Sequence, residues 1–201
     1  AMDLEGGAPP PSEAPAPAPK RARADLSTAI LEPKKAPNRL IVEDFGADGG
    51  DNSSIHLHPS KADELDLFQG DVLLVKGKRR HETVLVVVND ETLEPARARI
   101  NKVVRKNLRV HLGDVISVKK KEDVEFGTRV QVLPFEDSLE GVTGNLFDTY
   151  LRGYFQDSYR PVYEGDCFIV RGAMRAVEFK VMRTEPSPAC LVAPQTEIFT
   201  D

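Results

Sequence analysis

Long apolar runs are missing from this sequence. The longest, Val84 to Val88, has five residues, whereas a membrane-spanning helix needs about 20. No stretch has the apolar core of a secretory signal. Cysteine is scarce: Cys167 and Cys190 stand far apart, each in an apolar run. That excludes a disulfide framework and reads as two reduced core thiols. No Cys-x-x-Cys pair and no Gly-x-Ser-x-Gly elbow occurs. A phosphate loop is also missing. Val75-Lys76-Gly77-Lys78-Arg79 contains Gly-Lys, but Arg79 follows where a Ser or Thr must hold magnesium, and Gly70 lies at the wrong upstream spacing. This stretch of chain therefore has no means of hydrolysing nucleotides, and no catalytic residues are assigned.

Excess positive charge is lacking too. Lys and Arg number 27 against 32 Asp and Glu, a net charge of -5. Phosphate backbones demand clustered cations, so general nucleic-acid binding is not expected. The basic runs Lys76 to Arg80 and Lys119 to Lys121 carry no interleaved aromatics for base stacking. They read as solvated turns, with a docking surface for an acidic partner as the alternative. Four histidines are present. His56 and His58 would share one strand face, half a metal site at most, and zinc needs three or four ligands. No metal site is assigned.

What remains is the make-up of a binding module. With 201 residues, 40% hydrophobic and 29% charged, the chain can build one or two small cores. Residues 1–24 are an Ala/Pro-rich tail; eight of the 15 prolines precede Asn38. Such a segment buries too little apolar surface to offset its ordering entropy, so disorder is expected. Within it, Pro19 to Arg23 reads as a solvated basic cluster or a short nuclear-import patch. Ala1 before Met2 reads as an expression scar.

The body opens with a strand at Asn38 to Val42, a Gly/Asp loop at Asp44 to Ser53 and a short strand at Ser54 to Leu57. Ser60 and Asp63 suggest a capping box for a short helix ending near Leu65. An internal repeat then appears. Leu65 to Val75 (LDLFQGDVLLV) aligns without a gap on Leu108 to Val118 (LRVHLGDVISV). Each copy follows a short helix, the second being Lys102 to Leu108 with Asn101 as N-cap. Each carries a Gly-Asp pair suited to a tight turn, and each precedes a further strand, Thr83 to Val88 or Thr128 to Leu133. A looser third copy is Pro161 to Arg171, followed by an alternating strand at Ala176 to Met182. Between copies two and three, Leu146, Phe147, Tyr150 and Leu151 share a helical face. Lys119 to Glu125 is a charged boundary.

Two interlaced helix–Gly-Asp–strand halves predict a mostly β (α+β) fold: a double-psi β-barrel over residues 25–122, then a smaller barrel with short helices over 123–201. Phe68, Phe126 and Tyr159 stand in loops near the boundary, where a barrel core does not need them. They either seal the two units together or line a cleft that takes a partner's side chain.

Several stretches resemble the amino-terminal domain of the valosin-containing family of eukaryotic AAA+ unfoldases. They are Asp25 to Leu31, Pro37 to Val42, Asn107 to Val110, Glu140 to Phe147, Tyr159-Arg160-Pro161 and Met174 to Val181. The resemblance implies a double-psi barrel followed by a four-stranded β-barrel. It implies recruitment of UBX-domain and other short-motif adaptors to a groove between the units. A linear motif of the ubiquitin-processing heterodimeric adaptor would dock on the second barrel. Ubiquitylated substrates, including those of endoplasmic-reticulum-associated degradation, would thus reach a hexameric segregase ring. ATP and magnesium belong to the full-length ATPase, with no cofactor in this stretch and a monomeric state for it. Location would be cytoplasmic, with the nucleus as an alternative.

Carried over by position, the groove comprises Asp51, Asn52, Phe68, Gly70, Val86, Val88, Phe126 and Tyr159. The ring-facing set is Arg109, His111, Arg171 and Arg175. Phe126 stands where the family has Tyr, Val86 and Val88 are smaller than the usual Ile and Leu, and His111 replaces an arginine. The loop Phe45 to Gly50 is longer and richer in glycine. Two other readings stay open: a free-standing ubiquitin-binding adaptor on the same double barrel, and a double-psi barrel enzyme such as a decarboxylase or molybdopterin protein.

Overall fold

Six strands close into a ring in a computed structural model that describes residues 36–46, 49–172 and 175–200. The expected tail, 1–24, and the stretch Asp25 to Leu31 lie outside the described residues. The ring is built from β1 (Arg39–Glu43), β2 (Ser54–Leu57), β3 (Val72–Lys76), β4 (Glu82–Asn89), β5 (Arg97–Arg99) and β6 (Val115–Lys120), in the order β1-β5-β2-β4-β3-β6. Helix α1 (Pro59–Glu64) precedes β3 and helix α2 (Lys102–Leu108) precedes β6.

The pairing obeys an internal twofold. β2 runs parallel to β4, and β5 runs parallel to β1. β3 pairs antiparallel with β4, and β6 antiparallel with β1. β3 and β6 pair with each other, as do β2 and β5. The Gly-Asp pairs do the same work in each half. Gly70 N–H donates to the Val87 carbonyl at 2.9 Å, and Val87 N–H returns to the Asp71 carbonyl at 2.9 Å. In the twin, Gly113 N–H donates to Val42 at 2.9 Å, and Val42 N–H to Asp114 at 2.8 Å. Gly70 and Gly113 have φ of 94° and 83°, which a side chain would resist.

This geometry extends the repeat reading. The partner of the second copy is β1, which precedes it in sequence. The strand expected at Thr128 to Leu133 is present as β7 (Arg129–Pro134) and belongs to another sheet. Sequence reading also passed over β5, which is only three residues long. His58, not Ser60, caps α1: its ring nitrogen accepts from Ser60 N–H at 3.1 Å, with Pro59 at the first helical position. Asn101 caps α2 as expected, accepting from Val104 N–H at 2.8 Å. Lys119 and Lys120 lie in β6, opposite Leu74 and Leu73, and not in a turn. His56 and His58 part company: His56 faces Asp90 at 3.5 Å while His58 bonds Ser60.

The second unit holds α3 (Glu136–Leu139), a π-helical turn (Phe147–Leu151), α4 (Arg152–Phe155), β8 (Pro161–Tyr163), β9 (Cys167–Arg171), β10 (Ala176–Glu185), β11 (Ala189–Leu191) and β12 (Glu197–Phe199). Its strands form a four-stranded sheet, β12-β7-β10-β9, and a ribbon, β11-β8. Alternation along β10 buries Val177, Phe179 and Val181. Tyr154, Phe168 and Phe179 stack in series at 5.1 and 5.5 Å. The third Gly-Asp copy repeats the clamp inside this unit: Gly165 N–H donates to Val181, and Val181 N–H to Asp166, each at 2.8 Å. Cys190 is fully buried, whereas Cys167 is half-buried and so only partly a core thiol.

Candidate functional site

The seam between the units gathers most of the groove residues named above. β4 buries Leu85 and Val87 inside the barrel, which turns Val86 and Val88 outward, both half-buried. The Phe68–Asp71 turn is fastened beside them by the Gly70 and Asp71 bonds to Val87. On the turn Phe68 is 67% exposed. The Asp71 carboxylate accepts from Phe68 N–H at 2.9 Å and faces Lys120 Nζ at 2.9 Å. These contacts, the N–H above all, hold its carboxyl below the usual range. The Lys120 ammonium sits 5.6 Å from the Phe68 ring centroid.

Phe126 and Tyr159 arrive from the second unit, both hung on the β11 segment. Phe126 bridges Leu191, and Gly127 N–H donates to the Leu191 carbonyl at 2.8 Å. Val192 N–H donates to the Arg160 carbonyl at 2.9 Å. Their rings come to 6.0 Å at 58°, and they are 55% and 49% exposed. Tyr159 has φ of 44°, a left-handed backbone that a bulky residue adopts only when its surroundings impose it. The three aromatics do not form one stack: Phe126 and Tyr159 pair, and Phe68 stands with Lys120.

Asp51 and Asn52 differ in role. Exposed Asp51 meets Arg160 Nη1 at 2.7 Å and caps Ser53 N–H at 2.9 Å. Ser53 in turn accepts from Val86 N–H at 2.8 Å through its carbonyl, which ties Asp51 to the groove floor. Asn52 is turned into the seam instead. Its amide donates to the Ile169 carbonyl at 2.8 Å, and its oxygen accepts from Asn101 at 2.9 Å. Sequence reasoning gave no role to Arg160. Its guanidinium also reaches Ser53 Oγ at 3.2 Å and the Tyr154 carbonyl at 2.7 Å, and lies 4.1 Å from the Tyr154 ring centroid. No periodicity could have revealed it, because two of its partners, Asp51 and Ser53, lie about a hundred positions away in sequence.

The four ring-facing candidates fall into two pairs. Arg109 is the exposed left-handed C-cap of α2, and exposed His111 follows on the same turn. The His111 ring lies 3.6 Å from Asp114, which also pairs with Lys78 Nζ at 2.6 Å. Arg171 ends β9, and Arg175 lies across the hairpin, its guanidinium donating to the Glu140 carbonyl at 2.5 Å.

Residues 39–124 match the family model of the cell division protein 48 (CDC48) N-terminal domain, and residues 141–200 match that of CDC48 domain 2. Together with the closed barrel, these matches define the adaptor-binding amino-terminal region of an AAA ATPase. The chain belongs to the CDC48 family. Both matches are to the amino-terminal portion of that family and neither is to its ATPase domain.

Proposed function

We propose that this chain recruits UBX-domain proteins and basic helical peptides into the groove between β4, the Phe68 turn and the Phe126–Tyr159 pair. Through them, ubiquitylated proteins are delivered to a hexameric ATPase ring for unfolding, including those extracted from the endoplasmic reticulum. The observation that carries this reading is Tyr159. A large aromatic held at positive φ and half exposed beside a second exposed ring does little for a core, and it offers a partner a flat apolar anchor site. Asp51 at the rim supplies a carboxylate for a basic partner residue.

The linear motif of the ubiquitin-processing adaptor takes a separate place on the second unit. A recess of about 390 Å³ lies between Phe147, Phe155 and Ile198 and suits a short apolar segment. Arg109, His111, Arg171 and Arg175 face the ring.

Calorimetric titration of a UBX domain tests the groove. Binding is expected at micromolar strength, and Phe68→Ala and Tyr159→Ala should each cost roughly 1–3 kcal/mol. Wild-type affinity in both variants overturns the assignment.

A further inference from the structure

A cleft of about 510 Å³ opens on the seam beside the tip of the β3–β4 hairpin, between α2, β10 and the β8–β9 turn. Its walls lie wholly within the described residues, and only Arg109 among them carries a role assigned above. Charge in this cleft is sorted by depth. The exposed charged side chains along its mouth are Arg80, Lys106 and Arg109, with exposed His81 beside them, and none is acidic. Half-buried Lys180 adds a further cation to the wall. The three acids that line it, Glu82, Glu164 and Asp166, are partly buried and already engaged. Glu82 accepts from the Tyr163 hydroxyl at 2.6 Å and faces Lys76 at 3.4 Å. Glu164 accepts from Thr184 N–H at 2.9 Å, and Asp166 accepts from the Thr83 hydroxyl.

Arg80 ends the basic run Lys76 to Arg80, and its backbone is constrained. Gly77 N–H donates to the His81 carbonyl at 2.8 Å, and His81 N–H to the Lys78 carbonyl at 3.0 Å. Lys78 N–H donates to the Leu108 carbonyl of α2 at 3.0 Å, which fastens the tip beside the cleft. Arg79 and Arg80 have φ of 53° and 64°, a left-handed backbone that large side chains adopt only when their surroundings impose it. On the wall contributed by the second unit, Phe135 is 39% exposed, and Lys106 Nζ lies 6.0 Å from its ring centroid. Lys106 also pairs with Glu178 at 2.7 Å. An exposed ring set among cations suits a partner that brings an apolar side chain together with carboxylates. The main chain of Cys167 in this wall is taken, because Asn107 bonds both of its groups. A partner is therefore read here through side chains and not by strand addition at Cys167. Nucleic acid would need a longer cationic track, on a chain less acidic than one of net charge -5.

We infer that this cleft docks an acidic peptide segment of a partner protein, with its carboxylates on Arg80 and Lys180 and an apolar side chain on Phe135. A guanidinium can engage both oxygens of one carboxylate, and an ammonium adds a point charge.

The probe is the capped peptide Glu-Asp-Glu-Phe-Asp-Glu-Asp, titrated into the chain and followed by two-dimensional NMR. Saturable shifts are expected at Arg80, His81, Asn107 and Phe135, with only weak, linear shifts at Lys119 to Lys121. Replacing both cations (Arg80→Asn with Lys180→Gln) should weaken binding at least about tenfold, the effect of losing one charge-assisted hydrogen bond. Asn tolerates a left-handed backbone, so Arg80→Asn alone should keep the melting temperature and still weaken binding. Phe135→Ala, and a probe with Ser in place of its Phe, should each weaken binding about fivefold. Linear shifts spread evenly over all basic segments overturn the inference, as does unchanged affinity in the double variant or in Arg80→Asn. Equal affinity for the Ser probe overturns the apolar contact on Phe135. Tighter binding of inorganic tripolyphosphate or of oligothymidylate than of the peptide overturns the peptide assignment. Phe68, Phe126 and Tyr159 do not line this cleft, so the adaptor titration and this one fail independently.

Discussion

Asn107 clamps the main chain of Cys167. Its amide nitrogen donates to the Cys167 carbonyl at 2.8 Å, and its amide oxygen accepts from the Cys167 N–H at 2.9 Å. One side chain at the end of α2 thus satisfies two backbone groups of β9, as a neighbouring strand would. Asn107→Ala leaves both groups short of partners at a half-buried seam. A loss of about 1–3 kcal/mol is expected in urea unfolding. Asn107→Asp, which keeps only the acceptor, should fall in between. A midpoint unchanged in the alanine variant would show that water replaces the clamp freely.

Asp166 makes the seam sensitive to pH. Its carboxyl meets the Thr83 hydroxyl across the two units. Burial pushes its pKa up to about 7 from 3.8, with the Thr83 hydrogen bond pulling the other way. The folded protein therefore binds this proton more tightly than the unfolded chain does. The contribution is favourable at low pH, declines as pH rises from about 4 to about 7, and is flat above. Asp166→Asn should remove that decline from the plot of stability against pH. Parallel profiles for the two proteins would refute it.

Gly77 allows close passage of chain. A Cβ there would lie 2.1 Å from the Leu108 carbonyl oxygen, a backbone atom that cannot swing away. Lys78 N–H donates to that same carbonyl at 3.0 Å. Gly77→Ala should destabilise the barrel by about 1–3 kcal/mol, the usual cost of forced overpacking. Thermal unfolding measures it, and a melting point at or above wild type would contradict the crowding.

Arg160 couples the groove rim to the second unit. The Asp51 pair is partly exposed, at 43% and 20% of the two side chains. A double-mutant cycle on Asp51 and Arg160 should therefore give a coupling of only about 0.5–1 kcal/mol. Arg160→Ala alone should cost more, because the Ser53 and Tyr154 contacts go with it. Equal effects of Asp51→Ala and Arg160→Ala would deny Arg160 that wider role.

Much of this was open to reading from sequence. The Gly-Asp repeat announced two related halves because a tight turn restricts residue choice, and Asn101 declared itself as a cap. The exposed rings of Phe68, Phe126 and Tyr159 stood out because they occupy loops. Other features had no local trace. The role of β1 as partner to the second repeat depends on closure of the ring, which joins segments about eighty residues apart (|i−j| = 79 for Asn38 and Ser117). β5 is too short to show alternation. Asn52 looked like a rim residue by position, and only the proximity of Ile169 and Asn101 turns it inward.

The first barrel has no loose margin. Each of its six strands has a neighbour on both sides, so its main-chain donors and acceptors are consumed within the ring. Whatever reads that half must do so through side-chain shape and charge alone. Under the proposed function, selectivity there is consequently open to change one residue at a time, at Val86 and Val88 of β4, without disturbing the scaffold that presents them.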